Sequence, residues 1–391
     1  KKAGMPIGKF YSNSKEILKC IPRELHSKKI SFNHKDPEIE ASKVLGMIYD
    51  ATKDQFTYKC KFDNAIEFFK QKELPENQMW TKRLILKFSA TCYDPLGFIA
   101  PFTVKSRNIL QTLWTMKLNW DDTIPDHMNN MWNKWIEECF QLVNLVKIPR
   151  HLHLDTQRRV QLHVFVDAST AIYAAVAYLI VESPTELTTI KYKPIENTST
   201  KTPIFSRGEE VQCKTYIVMA KARVTPTKTE SVSRLELAAC VIGVRMGHMV
   251  SKAYGICPED IKYWTDSKNC LYWINTPSNI LKTFVAHRVG EIQNYSNVEN
   301  WRHVPTEKNP ADIATRPPTI ESLAKDKHWW NGPDFLTKPE TEWPEKWIPT
   351  KVNSEGMDEF KAIRINRLTV ITDAEKAISR YLDMNRISVG K

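Results

Sequence analysis

Two apolar runs joined by a short turn constrain this chain more than any other feature. Gln161 to Asp167 and Ile172 to Val181 are strand-like, and the small residues Ala168-Ser169-Thr170 between them suit a hairpin. A polar stretch rich in Thr, Lys, Pro and Glu spans roughly 182–212, and a third strand candidate, Thr215 to Val224, comes after it. Ser231 or Ser233 then caps a helix to about Val250, with Leu235, Ala239, Ile242 and Met246 on one stripe. Beyond it the pattern predicts a strand over Ile261 to Thr265, a helix starting at Asp266-Ser267, and a helix over Phe284 to Tyr295. A strand over Val298 to Val304 and a short helix from Asn309 to Thr315 complete the series. The order β-β-β-α-β-α-α-β-α predicts one α/β domain, a mixed sheet with helices on its faces.

The residues before 150 read differently. Val44 to Tyr49 and Gln55 to Cys60 flank the turn-rich Asp50-Ala51-Thr52-Lys53-Asp54 and predict a hairpin. Helical spacing follows over Thr81 to Thr91 and Phe98 to Leu118, broken by Asp94-Pro95-Leu96-Gly97, and a third helix carries Trp132, Trp135, Phe140 and Leu142. After 320 the chain is rich in Pro and Trp (Trp329, Trp330, Trp343, Trp347), with a last amphipathic stretch around Ala374 to Leu382. The opening Lys1-Lys2-Ala3-Gly4 and the featureless end read as a piece of something longer.

Lys+Arg 56 against Asp+Glu 45 gives a net charge of +11, which favours polyanionic partners such as nucleic acid. The longest apolar run is about the length of Ala174 to Val181, far short of the roughly 20 residues that span a bilayer, so no membrane association is expected. The eight cysteines form no C-x-x-C pair, which points to a reducing intracellular compartment.

Four acids follow or interrupt apolar runs in the α/β unit: Asp167, Glu236, Asp266 and Asp312. Singly, each has a bland explanation as a turn residue, exposed helical position, N-cap or first-turn acid. Together they suit a divalent cation, because a poorly solvated carboxylate needs a positive partner and Mg²⁺ takes oxygen ligands alongside substrate phosphate. Two ions about 4 Å apart can activate water on one side of a phosphodiester and stabilise the leaving oxygen on the other.

The segments Val164 to Ser169, Val232 to Ala239, Tyr263 to Ser267 and Asn309 to Ala314 resemble the D, E, D, D motifs of the type 1 ribonuclease H family, in its order. That resemblance implies a ribonuclease H-like α/β domain with a mixed five-stranded sheet in βββαβαβα order. It also implies cleavage of the RNA strand of RNA/DNA hybrids with two Mg²⁺ ions, Mn²⁺ serving as a substitute. Asp167 would bridge both ions, Glu236 and Asp266 would each bind one side, and Asp312 would complete the second site. More narrowly, Tyr93 to Pro101, Thr81-Lys82-Arg83, Trp114 to Asp122 and Ile148-Pro149-Arg150 resemble the pol polyprotein of Bel/Pao-type LTR retrotransposons, in the region often labelled Pao retrotransposon peptidase. The resemblance runs from about Ser12 to Trp347. It implies the end of a reverse-transcriptase palm over 1–80, a helical thumb/connection-like region over 81–150, the ribonuclease H-like domain over 158–320, and a linker towards an integrase over 321–391. The polymerase palm and integrase would then be partners, in the cytoplasm or a virus-like particle with a nuclear phase.

Other signals carry less. No Y-x-D-D or D-[ST]-G string is present, so neither polymerase nor aspartic-peptidase chemistry is expected. His303 is read as a strand residue without a catalytic role, and His151, His153 and Asp155 as a solvated edge. Trp329, Trp330 and Trp343 are expected to pack back onto the domain rather than stack on bases. Candidate phosphate contacts are Arg234, Lys268, Arg302 and Arg316 around the acids, with Lys82, Arg83, Lys105 and Arg107 upstream. The rival reading is a catalytically silent nucleic-acid-binding or scaffolding remnant of the same polyprotein.

Overall fold

The computed structural model describes residues 10, 14–25, 41–44, 47–50, 53–58, 60, 80–152, 159–182, 191–194, 201–204, 213–228, 230–347 and 354–361. Helix α1 (Lys15–Lys19) and strands β1 (Ala41–Val44), β2 (Met47–Asp50) and β3 (Gln55–Thr57) come first. Helices α2 (Lys82–Ser89), α3 (Ala100–Thr115) and α4 (Asp126–Leu145) lead to β4 (Ile148–Pro149). Next are β5 (Val160–Ala168), β6 (Ile172–Glu182), β7 (Lys191–Pro194), β8 (Lys201–Ile204) and β9 (Cys213–Val224). Helix α5 (Val232–Tyr254), β10 (Ile261–Thr265), α6 (Lys268–Ile274), α7 (Thr283–Tyr295), β11 (Trp301–His303) and α8 (Asp312–Thr315) complete the α/β unit. Three short helices, α9 (Ile320–Lys325), α10 (Lys327–Asn331) and α11 (Ser354–Met357), follow.

The two apolar runs are the middle of a five-stranded sheet ordered β11-β10-β5-β6-β9. β5 and β6 pair antiparallel, as do β6 and β9, while β10 lies parallel to both β5 and β11. Both faces of β5 and β6 are dry, because alternate side chains divide between two cores. Ala174, Val176, Tyr178 and Ile180 of β6 join Phe165 and Trp264 on one face. Ala175, Ala177 and Leu179 join Leu162, Val164 and Val166 on the other, under α5. Helix α5 sits unusually close to the sheet. A Cβ on Gly243 would stand 2.5 Å from Val166 Cγ1, and one on Gly247 would stand 2.6 Å from the Tyr263 hydroxyl. Only glycine permits that approach.

The opposite face shares its core with the upstream helices, whose Phe102, Trp132 and Trp135 stack at centroid distances of 5.3 and 4.8 Å. The Asp94-Pro95-Leu96-Gly97 break is a clasp on edge strand β9. Leu96 O accepts from Ala220 N at 2.8 Å, and Gly97, at φ +76°, lies so close that a Cβ would meet Ala220 O at 1.7 Å. Asp94 closes the clasp by accepting from the Tyr58 hydroxyl at 2.6 Å and from Ile99 N at 2.9 Å. Burial nevertheless pushes its pKa up to about 6. Further along, Arg107 donates to Ala222 O at 3.2 Å and Gln111 to Thr225 O at 2.6 Å. Clasp and helix together cover an edge that would otherwise offer open carbonyls.

Several elements differ from the sequence expectation. The polar stretch over 182–212 contains the antiparallel β7–β8 pair, whose Pro194 and Pro203 mask a strand signal and are tolerated because a two-stranded ribbon is all edge. The strand expected from Val298 opens as a 3-10 turn, Val298–Asn300, before β11. The helix expected from Asn309 begins three residues later, as the four-residue α8, because Asn309 is extended and its Oδ1 accepts from Ala311 N at 3.2 Å in a turn that precedes the helix. The expected 43–60 hairpin is the β2–β3 pair within a four-stranded sheet that also holds β1 and β4. Trp329 and Trp343 are buried, and Trp330 packs against the same core. His153, Asp155 and the stretch Ala374 to Leu382 lie outside the described residues. No helix among the described residues is long and apolar enough to cross a membrane.

Candidate active site

The parallel pairing of β5 and β10 brings two of the four acids side by side. Thr265 stands opposite Val166, so the next residues, Asp266 and Asp167, leave adjacent strands in the same register and at the same end. Asp167 is 6% exposed, and the Thr315 hydroxyl donates to its Oδ2. Burial chiefly, and then the charges of Asp266 and Asp312, push its pKa up to about 6. The Asp266 pKa is also raised, by burial first and by Asp312, against a Thr306 hydroxyl that donates to Oδ2 at 2.9 Å and the nearby His303. Asp312 opens α8, which is tied to β5 by Asn309 Nδ2 donating to Val166 O at 3.0 Å. Arg316 Nη1 pairs with Asp312 at 2.9 Å. Asp167, Asp266 and Asp312 thus share one electrostatic neighbourhood.

Glu236 comes from the other helix layer. It lies two turns before Gly243 on the sheet-facing stripe that includes Cys240. The start of α5 is tied to the start of α6, directly after Asp266: Asn269 Nδ2 donates to Ser233 Oγ at 2.9 Å, and the Cys270 thiol donates to Ser233 O at 3.7 Å. The Glu236 charge is felt at Cys270, so this acid stands at the same end of the sheet as Asp266.

The donor set fits a divalent cation. Asp266 Oδ1 is buried without a hydrogen-bond partner, whereas Asp312 Oδ1 is held by the Arg316 guanidinium at 2.9 Å. Such an unpartnered oxygen, beside a carboxylate whose pKa is raised by burial first and then by like charges, is costly unless a cation compensates it. Among the described residues no group of three or more His, Cys, Asp and Glu side chains stands at ion-holding distance. The acids would therefore have to draw together to hold an ion.

The expected phosphate-binding cations are mostly engaged. Arg234 pairs with Glu359 at 2.6 Å and Glu230 at 2.9 Å, and these carboxylates hold its pKa above the usual range. Arg302 pairs with Glu340 and lies 5.3 Å from the centroid of the Trp343 ring. Arg316 faces Asp312, and Lys268 is exposed in the first turn of α6. Upstream, Arg83 binds Asp121, Lys105 binds Glu138, Arg107 binds the β9 backbone, and Lys82 is buried against Leu118 O. Sequence reading missed Thr306 and Thr315. The second was within reach, because Thr315 is one helical turn after Asp312 and shares its side of α8.

No curated protein matches the chain. Residues 81–193 and 203–267 match the family model of the Pao retrotransposon-like RNaseH-like domain. That span takes in the Asp94 clasp, β5, β6, Glu236 and Asp266. Over that stretch the chain is similar to a Bel/Pao retrotransposon ribonuclease H region.

Proposed function

We propose that this chain hydrolyses the RNA strand of RNA/DNA hybrids with divalent cations, as part of a retrotransposon reverse-transcriptase polyprotein that also holds the polymerase palm and integrase. The observation that carries the reading is the in-register exit of Asp167 and Asp266 from parallel strands, with Asp312 folded against them and Asp266 Oδ1 unpartnered. Asp167, Glu236, Asp266 and Asp312 would hold two Mg²⁺, with Mn²⁺ as a substitute. When bound, such ions lower the pKa of water and neutralise charge at the phosphate.

The chain's own residues supply the rest. The Thr315 hydroxyl fixes Oδ2 of Asp167, and Thr306 fixes Oδ2 of Asp266 so that its Oδ1 is the oxygen left to turn inward. Arg316 restrains Asp312 from the solvent side. Lys268 is placed to meet a phosphate arriving at the start of α6, and the 2′-hydroxyl of an A-like hybrid distinguishes the RNA strand.

The test is Mg²⁺- or Mn²⁺-dependent cleavage of a labelled hybrid by the intact chain. Cleavage abolished in Asp167→Asn is the expected result. Hybrid binding without cleavage by the parent chain would instead identify a silent nucleic-acid-binding remnant.

A further inference from the structure

Helix α3 follows edge strand β9 towards the end of the sheet that bears the acids. Leu96, Arg107 and Gln111 meet Ala220, Ala222 and Thr225 in turn. Thr225 itself bonds the β5–β6 turn, its N–H to Ala171 O at 2.9 Å and its hydroxyl to Thr170 O at 2.9 Å. That turn begins immediately after β5, which carries Asp167. Trp114, three residues past Gln111 and so about 4.5 Å further along the helix, continues in the same direction.

Two indoles are exposed there. Trp114 is 48% and Trp120 37% exposed, and they meet edge to face at a centroid distance of 5.0 Å. They are held in place from beneath. The Lys82 ammonium, on a residue 2% exposed, donates to Leu118 O and sits 4.3 Å from the centroid of the Trp114 ring. Arg83 N donates to Trp120 O at 3.0 Å, its guanidinium grips Asp121, and Lys117 takes the left-handed φ of 57°. A buried ammonium and a strained lysine are a costly way to hold two large apolar rings in water unless the rings meet a ligand. Lys117 is exposed between them in the chain, and Arg83 offsets Asp121 just beyond Trp120, so the surface offers ring faces and positive charge together.

We propose that Trp114 and Trp120 form a base-stacking platform for a single-stranded nucleic-acid extension of the hybrid that the acids act on. The platform rests on the hydrolytic reading for its substrate. Stacking on aromatic rings tolerates any base, and Lys117 adds a salt-sensitive grip on the backbone.

The test uses the full chain carrying Asp167→Asn, so that nothing is consumed, and two labelled probes: a blunt RNA/DNA hybrid and the same hybrid with a single-stranded extension. Trp114→Ala and Trp120→Ala are each expected to weaken binding of the extended probe about tenfold while changing the blunt probe less than twofold, and Trp114→Phe to stay within about threefold of the parent. A 5-iodouridine-substituted extension should crosslink to the 114–120 segment. Parental affinity of both alanine variants for the extended probe overturns the proposal, as does crosslinking confined to other segments. Loss of self-association in Trp114→Ala with nucleic-acid binding untouched also overturns it, and marks a protein-docking surface instead. These measurements read binding, not turnover. A parent chain that stacks the extension through Trp114 yet never cleaves would overturn the hydrolytic reading and leave the platform standing.

Discussion

Asp94 and Asp167 are alike by one measure and opposite by another. Burial drives the pKa of each up to about 6. At the clasp, Asp94 has the Tyr58 hydroxyl and Ile99 N–H as donors. At the sheet end, Asp167 has the Thr315 hydroxyl but also faces Asp312, which Arg316 pairs, and Asp266, whose buried Oδ1 accepts no hydrogen bond. A raised carboxyl pKa therefore does not by itself separate chemistry from architecture. Like-charge company and an unpartnered oxygen do.

The comparison can be broken most severely at the clasp. Gly97→Ala places a methyl against Ala220 O in a backbone conformation that only glycine adopts freely, and should cost about 4 kcal/mol or more, read as lost cooperative unfolding in urea. At the other pole, Asp167→Asn should reduce hybrid cleavage about 100-fold or more without lowering the melting temperature, since an amide relieves the repulsion from Asp266 and Asp312. A fall in melting temperature with cleavage retained would make Asp167 a second Asp94. Asp94→Ala should show the reverse pattern: about 1–3 kcal/mol of stability lost through the stranded Tyr58 and Ile99 donors, with cleavage per folded molecule within twofold of the parent.

A smaller effect separates the two sites by pH. Each aspartate has a folded-state pKa above its unfolded value, so each contributes stability that is complete below about pH 4 and is lost as pH rises through about 6. Urea titrations should show Asp94→Asn removing on the order of 1 kcal/mol of that slope with or without Mg²⁺. Mg²⁺ should flatten only the share that Asp167→Asn removes. Smallest of all, Thr306→Val should weaken Mn²⁺ binding about threefold by freeing Asp266 Oδ2, as measured by calorimetry on the folded chain.

That Asp167 and Asp266 would be neighbours was legible because each stands where a strand-like apolar run stops, and strand ends are where parallel neighbours bring such residues together. The burial of Trp329 was legible for a related reason, as a large apolar ring near a domain rarely stays wet. What escaped depends on partners far away in the chain. Thr315 meets Asp167 across 148 residues, and Arg234, taken for a phosphate contact, is occupied by Glu359 across 125. Neither pairing leaves a periodic trace. The β7–β8 ribbon escaped because proline was read as a break, where an unshared edge makes it harmless.

Gly243 and Gly247 set the height of α5 above the sheet, and Glu236 rides on that helix two turns before Gly243. A single methyl at Gly243 would lift the helix against Val166 and carry Glu236 outward, away from three acids anchored to the sheet itself. On the two-cation proposal, affinity would then be lost with every carboxylate intact, so the gauge of the proposed centre is written in two residues that carry no side chain at all.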